Sequence, residues 1–204
     1  KIATDLTPFI AKEKDWTGQG FSPSMMALST YGGKPYGLAF AASTPIIYFN
    51  EDLVRKAGGD PDNFPTTWDG IFALSNKIAK LGNDDIGLFH SWAITGNWMW
   101  QALVFSYGGQ MMSNDEKTIA FDRKPGKKAI ELLGRMVREG GMPDLTPEAS
   151  RAAFFSGKLG IWTESTSLLR VADNGVAGKF KWRTARFPVP GPNAKLPTGG
   201  AAAM

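Results

Sequence analysis

Apolar positions along this chain switch repeatedly between a period of two and a period of about 3.6, and each switch falls at a turn residue. Two extended runs, Tyr36–Phe40 and Ile46–Phe49, flank a joint of small residues, Ala41, Ala42, Ser43 and Thr44. Pro45 holds Thr44 in an extended conformation. Asn50 is placed to cap a helix through Glu51, Asp52, Leu53, Val54 and Arg55, with Gly58 and Gly59 to end it. Beyond Thr67, apolar residues recur at Trp68, Ile71, Phe72, Leu74, Ile78 and Leu81, a helical stripe stopped by Gly82. Asp85–Phe89 reads as a strand. Thr95 is a candidate cap for a helix over Gly96–Tyr107, which is apolar on nearly every side and therefore predicted to be buried.

The second half repeats the alternation. Thr118–Phe121 is a candidate strand, and Pro125–Glu139 a helix with Ala129, Leu132, Leu133, Met136 and Val137 on its apolar face. Thr146-Pro147-Glu148 opens a helix through Phe155 that Gly157 ends. Leu159–Trp162 (strand), Ser165–Ala172 (helix) and Lys181–Phe187 (strand) follow, then a Pro-rich loop to Thr198-Gly199-Gly200. Near the start, Thr7 and Pro8 suggest the cap and first turn of a short helix, and a weak helix is expected around Met25–Leu28. Strands alternating with helices predict an α/β layer structure.

Composition narrows the functions available. The chain has 204 residues, 43% hydrophobic and 21% charged, ordinary values for a globular protein. No stretch is long and apolar enough for a membrane span. The net charge of +4 comes from scattered residues rather than a Lys/Arg block, so nothing marks nucleic-acid binding. With no cysteine and one histidine, His90, disulfide scaffolds, Cys-ligated metals and multi-His metal sites are excluded. No metal or cofactor is called for. A glycosidase needs two carboxylates across a sugar bond, and Glu164 is the only acid clearly within a candidate ligand loop. His90 ends a strand, where a lone histidine is more often structural.

Four loops carry ligand-type residues at strand ends or helix starts: Ala41–Thr44, Ser91–Trp98, Thr163–Ser167 and Thr198–Gly200. In open α/β sheets ligands sit beyond the carboxyl ends of strands, and helix N-termini offer free N–H groups. Ser165, Thr166 and Ser167 could bind an anion, or Ser165 could cap its own helix. Ser43 could meet ligand or satisfy its own backbone. Gly199 and Gly200 could expose backbone N–H groups to ligand or form a plain bend. Trp92, Trp98, Trp100 and Trp162 cluster near these loops. Trp100 looks more like core, Trp92 is undecided, and Trp68 and Trp182 are expected to pack.

The stretch Lys34–Asn50 resembles the crossover segment of bacterial extracellular solute-binding proteins, the receptors of ABC importers. More narrowly it is similar to the family-1 sugar and glycerol-phosphate group. The matching residues are Ser43, Thr44, Tyr48, Asn50 and Leu53. The helix entry at Trp68 is similar too, although Asp69 and Gly70 stand near the family's usual acid. The run Ala153-Phe154-Phe155-Ser156-Gly157-Lys158-Leu159-Gly160-Ile161 matches a further family stretch, and the resemblance covers about residues 30–204.

The resemblance implies a periplasmic binding protein-like (type II) lobe, α/β with a mixed sheet flanked by helices, truncated. Residues 1–40 would be a remnant of the first lobe and hinge, 41–190 the second lobe, and 191–204 a return hinge segment. It implies a fragment of a longer exported protein, with a short natural protein as the alternative. The implied function is the substrate-binding component of an ABC importer in the periplasm. Its ligand would be glycerol-3-phosphate or a related glycerophosphodiester in an interlobe cleft, its partner an inner-membrane permease. A mono- or oligosaccharide is the alternative ligand. A carbohydrate-active enzyme domain and a sensor ectodomain are alternatives of other classes. By this match the ligand residues are Ser43, Trp98, Ser165 with Thr166 beside it, Gly199 and Gly200.

Overall fold

The computed structural model describes residues 3–93, 98–191 and 194–203. It divides into two compact units, one formed by Lys1–Thr44 with Thr198–Met204 and the other by Pro45–Pro197.

The larger unit is built on a four-stranded mixed sheet. Its strands are β4 (Pro45–Asn50), β5 (Ile86–His90), β6 (Leu159–Ser165) and β7 (Trp182–Arg186), in the order β5-β6-β4-β7. β4 runs antiparallel to both β6 and β7, and β5 runs parallel to β6. The two inner strands are buried along almost their whole length, which is why Ile46–Phe49 reads as a continuous apolar run, whereas β6 buries the polar Thr163, Glu164 and Ser165 at its end. Tyr48 and Trp162 face each other across the β4–β6 pair with ring centroids 5.2 Å apart, and Phe154 lies 5.2 Å from Trp162. Trp182 completes this cluster at 5.8 Å from Tyr48. Such a group contributes about 0.5–1.5 kcal/mol per ring pair beyond simple area burial.

Helices α3 (Glu51–Lys56), α4 (Trp68–Ala79), α5 (Trp98–Ser106), α6 (Lys124–Arg138), α7 (Pro147–Phe155) and α8 (Leu169–Val176) belong to the same unit. Asn50 is the cap the sequence assigns, and Thr67 and Thr146, which it sets only at helix starts, are caps as well. Asn50 accepts the Leu53 N–H at 3.0 Å, Thr67 that of Gly70 at 3.2 Å, and Thr146 that of Ala149 at 3.1 Å. Each is expected to stabilise its helix by about 1 kcal/mol. Helix α5 carries Met99, Ala102, Leu103 and Val104 into the core, as its all-round apolar sequence predicts. The proposed cap Thr95 lies outside the described residues.

The smaller unit holds α1 (Thr7–Ile10), α2 (Pro23–Met26), a hairpin of β1 (Thr30–Tyr31) with β2 (Lys34–Pro35), and β3 (Leu38–Ser43) paired antiparallel with β8 (Gly199–Ala203). Trp16 and Phe21 stack at 4.7 Å in the loop between α1 and α2.

Several local expectations are corrected. The joint Ala41–Thr44 shrinks to Thr44, because Ala41, Ala42 and Ser43 find hydrogen-bonding partners on β8 and continue β3. Thr7 is inside α1 rather than its cap; Asp5 accepts the Thr7 N–H instead, at 3.0 Å. Thr118–Phe121 forms no strand and contributes a single bridge, Ile119 to Met112. β6 extends three residues beyond Trp162, since β4 offers partners up to Ser165. The helix expected from Ser165 is a 3₁₀ turn, Thr166–Leu168, before α8.

Two glycines set the distance between sheet and helix. Gly87 on β5 lies so close to α4 that a Cβ there would collide with the Ser75 carbonyl oxygen, and a Cβ at Gly160 on β6 would meet Ile78 Cδ1 at 2.7 Å. The collision at Gly87 is with backbone, which cannot swing away. Gly87→Ala should therefore cost about 1–3 kcal/mol, the usual range for overpacking, measured as a lowered denaturation midpoint at unchanged slope.

Candidate ligand-binding site

The carboxyl ends of β5 and β6 bring together the polar residues of the larger unit. Parallel pairing sets His90 against Thr163, and the next residue, Ser91, donates its N–H to the Thr163 carbonyl at 3.2 Å. On the other side of β6, Pro45 opens β4 opposite Ser165. A proline suits that first strand position because it has no N–H to donate.

A connected set of hydrogen bonds runs through these residues. Trp162 Nε1 donates to Ser91 Oγ at 3.0 Å. The Ser91 hydroxyl in turn hydrogen-bonds the Glu164 carboxylate, and Glu164 Oε1 accepts the Ser165 N–H at 2.8 Å. Tyr48 Oη donates to the Ser165 carbonyl at 2.7 Å. Ser165 Oγ accepts the Ser167 N–H at 3.1 Å and lies 2.8 Å from Ser167 Oγ. Glu164 is only 3% exposed. Burial raises its carboxyl above the usual carboxylate range, against the Ser165 N–H, the Ser91 hydroxyl and the charge of Arg151, which pull it down. Burial, with the nearby Glu164 charge, pushes the Tyr48 hydroxyl upward.

The structure thus places Ser165 and Thr166 at a strand end among buried donors and acceptors. Ser165 acts as the cap of the following turn, the second of the two roles the sequence left open for it. Thr163 and Glu164 are strand residues and fully or nearly buried, not loop residues as expected. Trp98 begins the described part of α5, half-buried against the core, with its indole Nε1 buried and without a hydrogen-bond partner. Trp162 is fully buried and faces Tyr48, so it belongs to the core. Trp100 packs edge-to-face on Phe121 at 5.5 Å, Trp68 on Phe187 at 5.4 Å, and Trp92 is exposed.

The remaining predicted residues lie in the smaller unit. Ser43 pairs with Gly199 and Ala42 with Gly200, so both glycines are inside β8 rather than before it. A Cβ on Gly200 would collide with the Ala41 carbonyl oxygen. Close strand approach therefore requires this glycine.

One residue the sequence reading passed over is Arg151. It lies three positions before Phe154 on α7, hence on the same helix face. Its Nε is buried and has no hydrogen-bond partner. The helical spacing from Phe154 was the available signal. Among the described residues, no group of three or more His, Asp or Glu side chains is placed to hold a metal ion.

Comparison with known proteins identifies the family. The model of the bacterial extracellular solute-binding proteins matches residues 1–204. The chain belongs to that family. Among solute-binding proteins it is 26% identical over 152 residues to the sn-glycerol-3-phosphate-binding periplasmic protein UgpB of Agrobacterium fabrum, covering 70% of this chain and 35% of that protein. An ABC transporter solute-binding protein from Thermotoga lettingae TMO, bound with α-D-tagatose, superposes with a TM-score of 0.79 at 20% identity, over 98% of this chain and 52% of that one. UgpB from Mycobacterium tuberculosis, in complex with glycerophosphocholine, gives 0.78 at 21% identity, over 98% and 51%. At these identities the two structures speak for the fold alone, which is that of the solute-binding proteins. The chain spans about a third of the length of the curated relatives it matches and about half that of the solved structures.

His90 gives a test of how tightly this strand end is closed. The ring is fully buried, its Nδ1 lies 2.7 Å from Thr163 Oγ1, and burial lowers its pKa to about 3. The unfolded chain takes up a proton near pH 6.5 while the folded one does not, so stability is lost as pH falls from there towards 3. Between pH 7 and 5 the wild type should lose about 2 kcal/mol relative to His90→Asn, read from denaturant midpoints at each pH.

Proposed function

We propose that this solute-binding protein serves an ABC importer in the periplasm, delivering glycerol-3-phosphate or a related glycerophosphodiester to an inner-membrane permease. It binds its ligand and does not transform it. The observation that carries the reading is the Ser165-Thr166-Ser167 run at the carboxyl end of β6, where the Ser165 and Ser167 hydroxyls stand 2.8 Å apart on one turn. Donor clusters of this kind suit phosphate oxygens. The similarity to UgpB of Agrobacterium fabrum, a sn-glycerol-3-phosphate-binding periplasmic protein, supports the ligand class. Ser43 with Gly199 and Gly200, in the smaller unit, and Trp98 complete the residues assigned to ligand contact.

A neutral sugar is the second reading. It is favoured by the tagatose-bound neighbour, whose superposition is as close as that of the glycerophosphocholine-bound one. Under this reading Trp98 carries more of the binding, since indole faces stack on the C–H face of sugars.

Calorimetric titration of the full-length protein with sn-glycerol-3-phosphate, maltose and glycerol separates the two. Saturable heat with the phosphate ester alone is the expected result, and Ser165→Ala should then weaken binding by about tenfold. Heat with maltose alone would replace the phosphate ester by a sugar.

A further inference from the structure

Arg151 is an unusual arginine. Helix α7 ends at Phe155, and after a short turn β6 begins at Leu159. Phe154 packs on Trp162, part-way along β6. Arg151, one turn back towards the start of the helix on the same face, is therefore placed nearer the carboxyl end of the strand, where Glu164 and Ser165 lie. Its effect on the Glu164 carboxyl is consistent with that placement.

The residue is half-buried, and its Nε is shut off from solvent without a partner. Among the described residues no carboxylate forms an ion pair with it, whereas Arg55, Arg135 and Arg183 all have such pairs. Glu164 feels the charge of Arg151, but among the described residues no ion pair joins the two. A partly desolvated guanidinium with an idle donor costs free energy unless something meets it. A planar fork of N–H donors is well matched to phosphate oxygens.

We propose that Arg151 is a specificity-determining residue of the ligand site: it supplies the positive charge that meets the phosphate group, beside the donors of Ser165, Thr166 and Ser167. This rests on the phosphate-ester reading above and adds to it the group that separates a phosphate ester from a neutral polyol.

The test is titration of the full-length wild type, Arg151→Met and Arg151→Lys with sn-glycerol-3-phosphate at two salt concentrations, with ligand-free melting temperatures alongside. Arg151→Met should lose at least tenfold in affinity and show a shallower salt dependence, with the melting temperature little changed. Arg151→Lys should recover part of the affinity, because a single ammonium keeps the charge without the fork. Should the methionine variant fail to fold, Arg151→Gln takes its place. A loss below tenfold with unchanged salt dependence, while the wild type binds the ester, overturns the role of Arg151 and leaves the ligand class intact. A wild type that binds maltose and refuses the phosphate ester overturns the ligand class and this inference together.

Discussion

The antiparallel pairing of β4 with β6 is the constraint on which the larger unit depends. It places Tyr48 opposite Trp162, and the Tyr48 ring reaches along β6 far enough for its hydroxyl to bond the Ser165 carbonyl. One side chain thus joins the aromatic cluster to the end of the strand. A slip of one residue would turn Tyr48 to the face opposite Trp162 and leave the buried Ser165 carbonyl without the tyrosine hydroxyl. The register of the pair and the geometry of the strand end are therefore the same fact, seen at two places.

Polar burial at this end follows from it. Trp162, Ser91, Glu164 and Ser165 form one connected set, in which each donor has an acceptor. Connected networks in a low-dielectric setting rigidify what they join. Here they join the ends of β5 and β6, from which the two candidate ligand segments of this unit continue. The rigid core lies on one side of Ser165 and the short turn on the other, the arrangement expected where a fold presents residues to a ligand.

Much of this was legible in the sequence, and the failures have physical causes. The cap at Asn50 and the helix starts at Thr67 and Thr146 are local signals, readable because a side chain and an N–H three residues away decide them. The α/β class followed from the alternation of periods, and the family from matches at Ser43, Thr44, Tyr48 and Asn50 and at Ala153–Ile161. Strand ends were misjudged wherever a distant partner decided them. Ala41–Ser43 look like a joint of small residues until β8 pairs with them, and Thr163–Ser165 look like a polar loop until β4 does. Gly199 and Gly200 look like a bend before a strand until β3 pairs with them, and nothing local reveals the Ala41 carbonyl beside Gly200. Arg151 was passed over because an arginine on a helix is unremarkable until burial leaves its Nε without a partner.

The central claim is that ligand meets this unit at the carboxyl end of β6. Amide and guanidinium ¹⁵N chemical shifts of the full-length protein, followed while sn-glycerol-3-phosphate is added, test it most directly. The account predicts that the largest changes within residues 45–197 fall on the Ser165, Thr166 and Ser167 amides and on Arg151 Nε. Saturable changes that spare these four, and centre instead on the apolar groove lined by Trp92, Leu133, Val137 and Met142, would contradict it.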